Sequence, residues 1–149
     1  MLNDLITDEE RQNCIENLAA SLWPGSQLIL DLREREASAR RADGSTHEKT
    51  VELAADEHLR FETNSSWDDG LIRVRETYQH NHQNKTTTQT YDFAMRPWTR
   101  DEIHARLSFA GLMDIAIDDG SVGNASCCSF IVRSAALLVP RSAYDTQVG

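Results

Sequence analysis

Asp31 and Arg33 occupy the place in this sequence where ligand chemistry is most to be expected. They fall at the carboxyl end of the run Gln27-Leu28-Ile29-Leu30-Asp31-Leu32, which reads as a strand, and in open α/β sheets ligands gather beyond the carboxyl ends of strands. The competing reading is a solvated ion-pair cluster among Arg33, Glu34, Arg35 and Glu36. His80-Asn81-His82 offers two imidazoles, but no third ligand follows at a spacing that suits a metal, and a polar hairpin tip accounts for both. Cys127 and Cys128 would point to opposite faces of a strand, so they cannot grip one ion and read as small buried apolar residues. No nucleophile with an adjacent base and no phosphate-cradling glycine loop is visible, and Asp118-Asp119-Gly120 reads as a turn.

The elements that must position these residues follow from local signals. Thr7-Asp8-Glu9-Glu10 is a capping box, and Ile15, Leu18, Ala19 and Leu22 recur behind it at helical spacing until Pro24-Gly25 stops the helix. The strand over 28–32 is apolar on both faces, as in a sheet covered on each side. Residues 33–44 are charged and read as a loop or irregular helix. Four antiparallel strands are then expected over 47–53, 57–63, 71–79 and 86–95. Ile72, Val74 and Tyr78 alternate with Arg73, Arg75 and Thr77, and Tyr91 and Phe93 with Asp92 and Ala94, which gives a meander with one wet face. Asp68-Asp69-Gly70 and the stretch 80–84 supply its turns. Thr99-Arg100-Asp101-Glu102 is a second capping box, and its helix buries Ile103, Leu107 and Ala110 before Gly111 closes it with a left-handed cap. Trp98 sits where a hydrophobic staple onto Ile103 is expected. Two last strands are expected over 113–117 and 128–132, and a poorly ordered tail over 134–149.

Composition narrows the function. With 149 residues, 40% hydrophobic and 26% charged, the chain can bury one real core. A formal net charge of -9 argues against a nucleic-acid partner, because phosphate binding needs clustered Lys and Arg. No apolar run approaches the length needed to span a bilayer, and Met1-Leu2-Asn3-Asp4 has no basic-then-apolar pattern. An odd number of cysteines, three, does not form a disulfide framework. The expectation is a reduced cytoplasmic protein.

Several segments together resemble class I S-adenosylmethionine-dependent methyltransferases. Leu5-Ile6-Thr7-Asp8-Glu9-Glu10-Arg11, then Leu22-Trp23-Pro24-Gly25, then Leu28-Ile29-Leu30-Asp31-Leu32-Arg33 resemble that family's helix, L-x-P-G-G turn and fifth strand. Met95-Arg96-Pro97-Trp98-Thr99-Arg100-Asp101-Glu102, running on to Phe109-Ala110-Gly111-Leu112, resembles the segment before its sixth strand. Small-molecule members carry a β-rich insertion between the two. Ser26 and Leu112 are mild departures from the pattern.

The resemblance implies an α/β fold: the C-terminal part of a Rossmann-like methyltransferase sheet, strands 5-7-6, with two helices and an inserted antiparallel meander over about 47–95. It covers 1–133. It also implies that Asp31, Arg33, Arg96 and Trp98 border a substrate, with Arg33 able to hold a carboxylate bidentately and Trp98 able to wall the acceptor pocket. In the family the glycine-rich loop and the acidic residue that hold S-adenosylmethionine lie upstream of the matched segments. The chain alone is therefore expected to bind no cofactor and no metal. Strand 28–32 becomes an edge, and exposed apolar edges recruit other chains. Its expected partner is a second copy or a donor-binding half, with no nucleic acid and no membrane. Three readings follow: a truncated methyltransferase inactive alone, the substrate-side half of a split methyltransferase, and a non-catalytic module that binds a small molecule or protein. Methyl transfer relies chiefly on aligning donor and acceptor, so a missing acid–base constellation does not count against the first two.

Overall fold

A computed structural model describes residues 2–83, 85–119 and 129–136. A short 3-10 turn, Leu2–Asp4, precedes α1 (Asp8–Ser21). The Thr7 capping box is complete: the Thr7 hydroxyl accepts from the Glu10 backbone and the Glu10 carboxylate accepts from the Thr7 backbone. The turn that follows carries Gly25 at φ +81°, a conformation open to glycine at little cost. β1 (Gln27–Arg33) comes next, then α2 (Arg35–Arg41), and then the meander of β2 (Asp43–Ala54), β3 (Glu57–Asp68), β4 (Leu71–His82) and β5 (Lys85–Met95). The chain ends its described course with α3 (Arg100–Phe109), β6 (Leu112–Asp119) and β7 (Ser129–Ala136). No helix among the described residues is long and apolar enough to cross a membrane.

Two sheets result. The first has the order β1-β7-β6 with β7 antiparallel to both neighbours, so β1 and β6 run parallel. This is the 5-7-6 arrangement. Its inner face carries Leu30, Leu32 and Val132, which pack with Ile15 of α1 and Ile103 and Leu107 of α3 into the main core. Each such side chain contributes about 1.5–3 kcal/mol on full burial. The expectation of a strand covered on both faces needs correction. Burial alternates along β1, and Ile29 on the outer face is 62% exposed. Among the described residues no helix covers that face, and no strand lies on the far edge of β1.

The second sheet is the meander, in the order β2-β3-β4-β5. Its strands are longer than the sequence suggests. Asn64, Ser65, Ser66 and Trp67 continue β3, and His80, Asn81 and His82 continue β4, because each pairs with a residue of its neighbour in unbroken register. Asn forms strands poorly alone, but the unbroken ladder with β4, joined on the other side by the bulged start of β2, overrides that preference. The β3–β4 hairpin turns on Asp69 (φ +43°) and Gly70 (φ +85°), two positive-φ residues that match the twist of the flanking strands.

Three further differences from the sequence reading stand out. The 33–44 segment contains a regular helix, α2, so there are three α-helices among the described residues rather than two; Glu34 caps it by accepting from the backbones of Glu36 and Ala37. Ser134 and Ala135 lie in β7, with Ser134 buried, rather than in a tail; 137–149 lie outside the described residues, as do Gly120, Cys127 and Cys128. Asp118 and Asp119 belong to β6 rather than to a turn.

The helix α3 keeps only half of its expected capping box. Thr99 accepts from the Glu102 backbone at 3.1 Å, but the Glu102 carboxylate is drawn instead to three guanidinium groups. Arg11 is the deepest of these, with none of its surface exposed. It donates to Glu102 at 2.7 Å, to the Leu5 carbonyl at 3.2 Å, to the Pro97 carbonyl at 3.3 Å and to the Arg96 carbonyl, and its guanidinium stacks 3.6 Å from the centroid of the Trp98 ring. One buried cation thus joins α1, α3 and the strand-to-helix segment between them.

Candidate functional site

The carboxyl end of β1 meets the base of the meander, and an open cavity of about 640 Å³ lies between them. β1 delivers Arg33, α2 and its C-cap deliver Ser38, Arg41 and Ala42, and β4 delivers Ile72, Val74 and Glu76. Asp4 of the first turn, Thr63 and Ser65 of β3, and Phe93, Ala94 and Met95 of β5 complete the wall. Backbone pairing holds these elements in place. Trp98 donates to the Arg33 carbonyl and Arg35 donates to the Trp98 carbonyl, both at 2.9 Å, while Trp67 donates to the Ala42 carbonyl at 2.9 Å. Asn3 pins both stems: its side chain accepts from the Arg33 backbone at 3.3 Å, and its carbonyl accepts from the Arg96 backbone at 2.8 Å.

The cavity wall sets Ile72, Val74, Phe93 and Met95 against the charged side chains of Asp4, Arg33, Arg41 and Glu76, a mixed lining of the kind that can orient a polar small molecule. Ser38 is 2% exposed, and its hydroxyl has no hydrogen-bond partner among the described residues. A buried hydroxyl without a partner is costly.

The structure separates the four residues singled out in the sequence. Arg33 lines the cavity. Asp31 is exposed on the outer face of the same strand and does not line it. The Trp98 side chain is fully buried in the main core, packed with Ile103 and under Arg11, while its backbone alone borders Arg33. The Arg96 guanidinium points to the start of α1 and α3, where it donates to the Ile6 carbonyl at 2.9 Å and pairs with Asp8 at 2.9 Å. Arg96 beside Asp8 holds that carboxyl below its usual range, with Arg106 adding to the effect. Arg33 and the Trp98 backbone are therefore brought together, and Asp31 and the Arg96 side chain are not.

Ser38 and Glu76 were missed in the sequence. Ser38 carries no signal there, because it lies in a charged stretch. Glu76 does carry one: it interrupts the alternating apolar face Ile72, Val74, Tyr78, a position where a carboxylate has no place in a sealed core.

Glu76 is also the shared wall of a second open cavity, of about 530 Å³, further out on the same meander face. Tyr78 donates to Glu76 at 3.0 Å, and this bond pushes the Tyr78 hydroxyl above its ordinary value. His80 is tied to Glu57 at 2.6 Å.

No protein-family model and no curated protein matches the sequence. Solved structures do match. Similar folds occur in KedS8, a sugar N-methyltransferase from Streptoalloteichus sp. (TM-score 0.77, 14% identity, 91% of this chain and 52% of that one). They also occur in the S-adenosylmethionine-bound CalS10, an amino pentose methyltransferase from Micromonospora echinaspora (TM-score 0.74, 20% identity, 91% and 54%), and in DesVI from Streptomyces venezuelae (TM-score 0.74, 16% identity, 91% and 54%). This chain spans about half the length of those chains. The β1-β7-β6 sheet with its inserted meander is accordingly a fold shared with the corresponding part of S-adenosylmethionine-dependent small-molecule methyltransferases.

Proposed function

We propose that this chain is the acceptor-side half of an S-adenosylmethionine-dependent methyltransferase, inactive until a donor-binding half is joined to it. The observation that carries the reading is the cavity where β1 ends against the meander, walled by Arg33, Ser38 and Glu76, on a sheet ordered β1-β7-β6. Ligands in open α/β sheets lie beyond the carboxyl strand ends, which is where this cavity opens. Its size suits a small-molecule acceptor. Arg33 would hold an anionic or carbonyl group of that acceptor.

The donor half would dock along the far edge of β1 and cover Ile29. Both features support that docking: β1 pairs on one side with β7, and an unpaired apolar edge favours a further strand. Self-association through the same edge is the competing occupant. S-adenosylmethionine would then be held by the joined half, while these residues orient the acceptor so that its nucleophile faces the methyl group.

Calorimetric titration of the 149-residue chain with S-adenosylmethionine tests the reading. No binding heat is expected. Saturable one-to-one binding by this chain alone would overturn it.

A further inference from the structure

The outer cavity of the meander is more than a continuation of the first. Its wall is a carboxylate set among aromatic rings. Glu76 on β4 lies directly across from Tyr91 on β5, and Tyr78 stands two residues along on the same face. The Tyr78 and Tyr91 rings meet edge to face at 5.9 Å between centroids, and Phe61 packs against Tyr78 at 5.0 Å. Cross-strand partners hold their Cβ atoms about 4.5–5.5 Å apart, so this frame is set by the ladder rather than by flexible loops.

Tyr78 occupies one Glu76 oxygen, Oε2; among the described residues Oε1 accepts no hydrogen bond. The Tyr91 hydroxyl is turned aside to Gln89 at 3.1 Å, which leaves Tyr91 to present its ring. Tyr91 is 51% exposed, so part of its ring faces solvent. Of the lysines on this face, Lys49 lies across from Phe61 and Lys85 across from His82, neither a cross-strand neighbour of Glu76, while Arg33 and Arg41 line the first cavity, on the other side of Glu76, and not the second.

We propose that this cavity is a recognition site for an organic ammonium group, in which the Glu76 carboxylate supplies the counter-charge and the Tyr78 and Tyr91 rings supply π faces. The ring quadrupole attracts a cation within about 6 Å of the centroid, and alkylated ammonium groups suit such a frame because their methyl groups also contact the rings. A carboxylate beside π faces favours the charged ammonium over the free amine. The site therefore grips a fixed or protonated cation as a handle and does not ready a nitrogen lone pair for attack. The proposal goes beyond methyl transfer and stands whether or not a donor half exists.

The test uses choline and 3,3-dimethylbutan-1-ol, which share a shape and differ in charge, titrated into the full chain without any methyl donor. The aromatic resonances of Tyr78 and Tyr91 report binding by nuclear magnetic resonance. The expected result is a saturable shift with choline at an affinity roughly tenfold above that for the neutral alcohol. Glu76→Gln, isosteric and on a half-buried site, removes that preference while the thermal melt stays in place. Tyr91→Leu weakens choline binding and keeps the fold. Equal responses to the two ligands, no response to choline, or a charge preference that survives Glu76→Gln would each overturn the proposal.

Discussion

Replacing Arg11 with methionine tests the joint that holds the two structural halves of this chain together. The substitution keeps an unbranched side chain at this buried position and removes the guanidinium that stacks on Trp98. That group is fully buried, donates to Glu102 and to the Leu5, Arg96 and Pro97 carbonyls, and covers the Trp98 ring. Burial pushes Arg11 down to about 10, and the bond to Glu102 works in the opposite direction, so the group is charged at neutral pH. Breaking a buried ion pair by removing one partner costs about 3–5 kcal/mol. Glu102 keeps Arg96 and Arg106, which moderates the loss, but the three carbonyls lose their donor. We expect destabilisation of about 3–5 kcal/mol, and so a fall in Tm of roughly 6–20 °C at about 2–4 °C per kcal/mol for a chain of this size. Urea unfolding followed by tryptophan fluorescence and by circular dichroism reads this directly. Arg75→Ala provides the control, because its pair with Asp92 is exposed on both partners and contributes little. A loss for Arg11→Met no larger than the control's would refute the reasoning, since it would mean that the buried cation does not join α1 to α3.

Two other outcomes follow from the turns and caps. Gly70→Ala should destabilise the β3–β4 hairpin by about 1 kcal/mol or more, because φ is +85° there and an added Cβ would come within 2.8 Å of the Arg35 guanidinium; a lower urea midpoint with unchanged m-value checks it. Stability should also fall on the acid side. Asp8, beside Arg96, and Glu10, bonded to the Thr7 backbone, are held below their ordinary values of 3.8 and 4.5. A carboxyl with a depressed folded value contributes above its unfolded value and loses that contribution as pH falls through the folded one. Urea midpoints should therefore hold steady above about pH 5 and drop below about pH 4, and Asp8→Asn with Glu10→Gln should flatten the curve.

Much of this fold is readable from local chemistry. The two N-caps, the Pro24-Gly25 stop, the apolar β1 and the alternation along β4 and β5 each rest on residues a few positions apart. What escapes such reading depends on distant partners. Asn64, Ser65 and Ser66 extend β3 only because β2 and β4 flank them. The Glu102 carboxylate leaves its capping role because Arg11, ninety-one residues away, claims it. The inward turn of Trp98 onto the Ile103 core is the staple its place before α3 leads one to expect, whereas Ser38 becomes a wall of the cavity only when α2 is laid against the meander. For the same reason the site residues were the least legible part: Arg33 and Ser38 line the cavity together, but Ile72, Val74 and Glu76 opposite them come from a strand more than thirty residues downstream.

The bridge between Arg33 and Trp98 has an architectural consequence. The chain departs from the first sheet at Arg33 and returns at Trp98, with the two backbones in direct hydrogen bond. Everything between them is a detour whose entrance and exit coincide. Lengthening its hairpins, or changing the side chains on its ligand face, leaves the distance between those two points untouched. The meander can therefore diverge in reach and chemistry while β1, β6 and β7 keep their spacing, as a tool head can be changed without altering its socket.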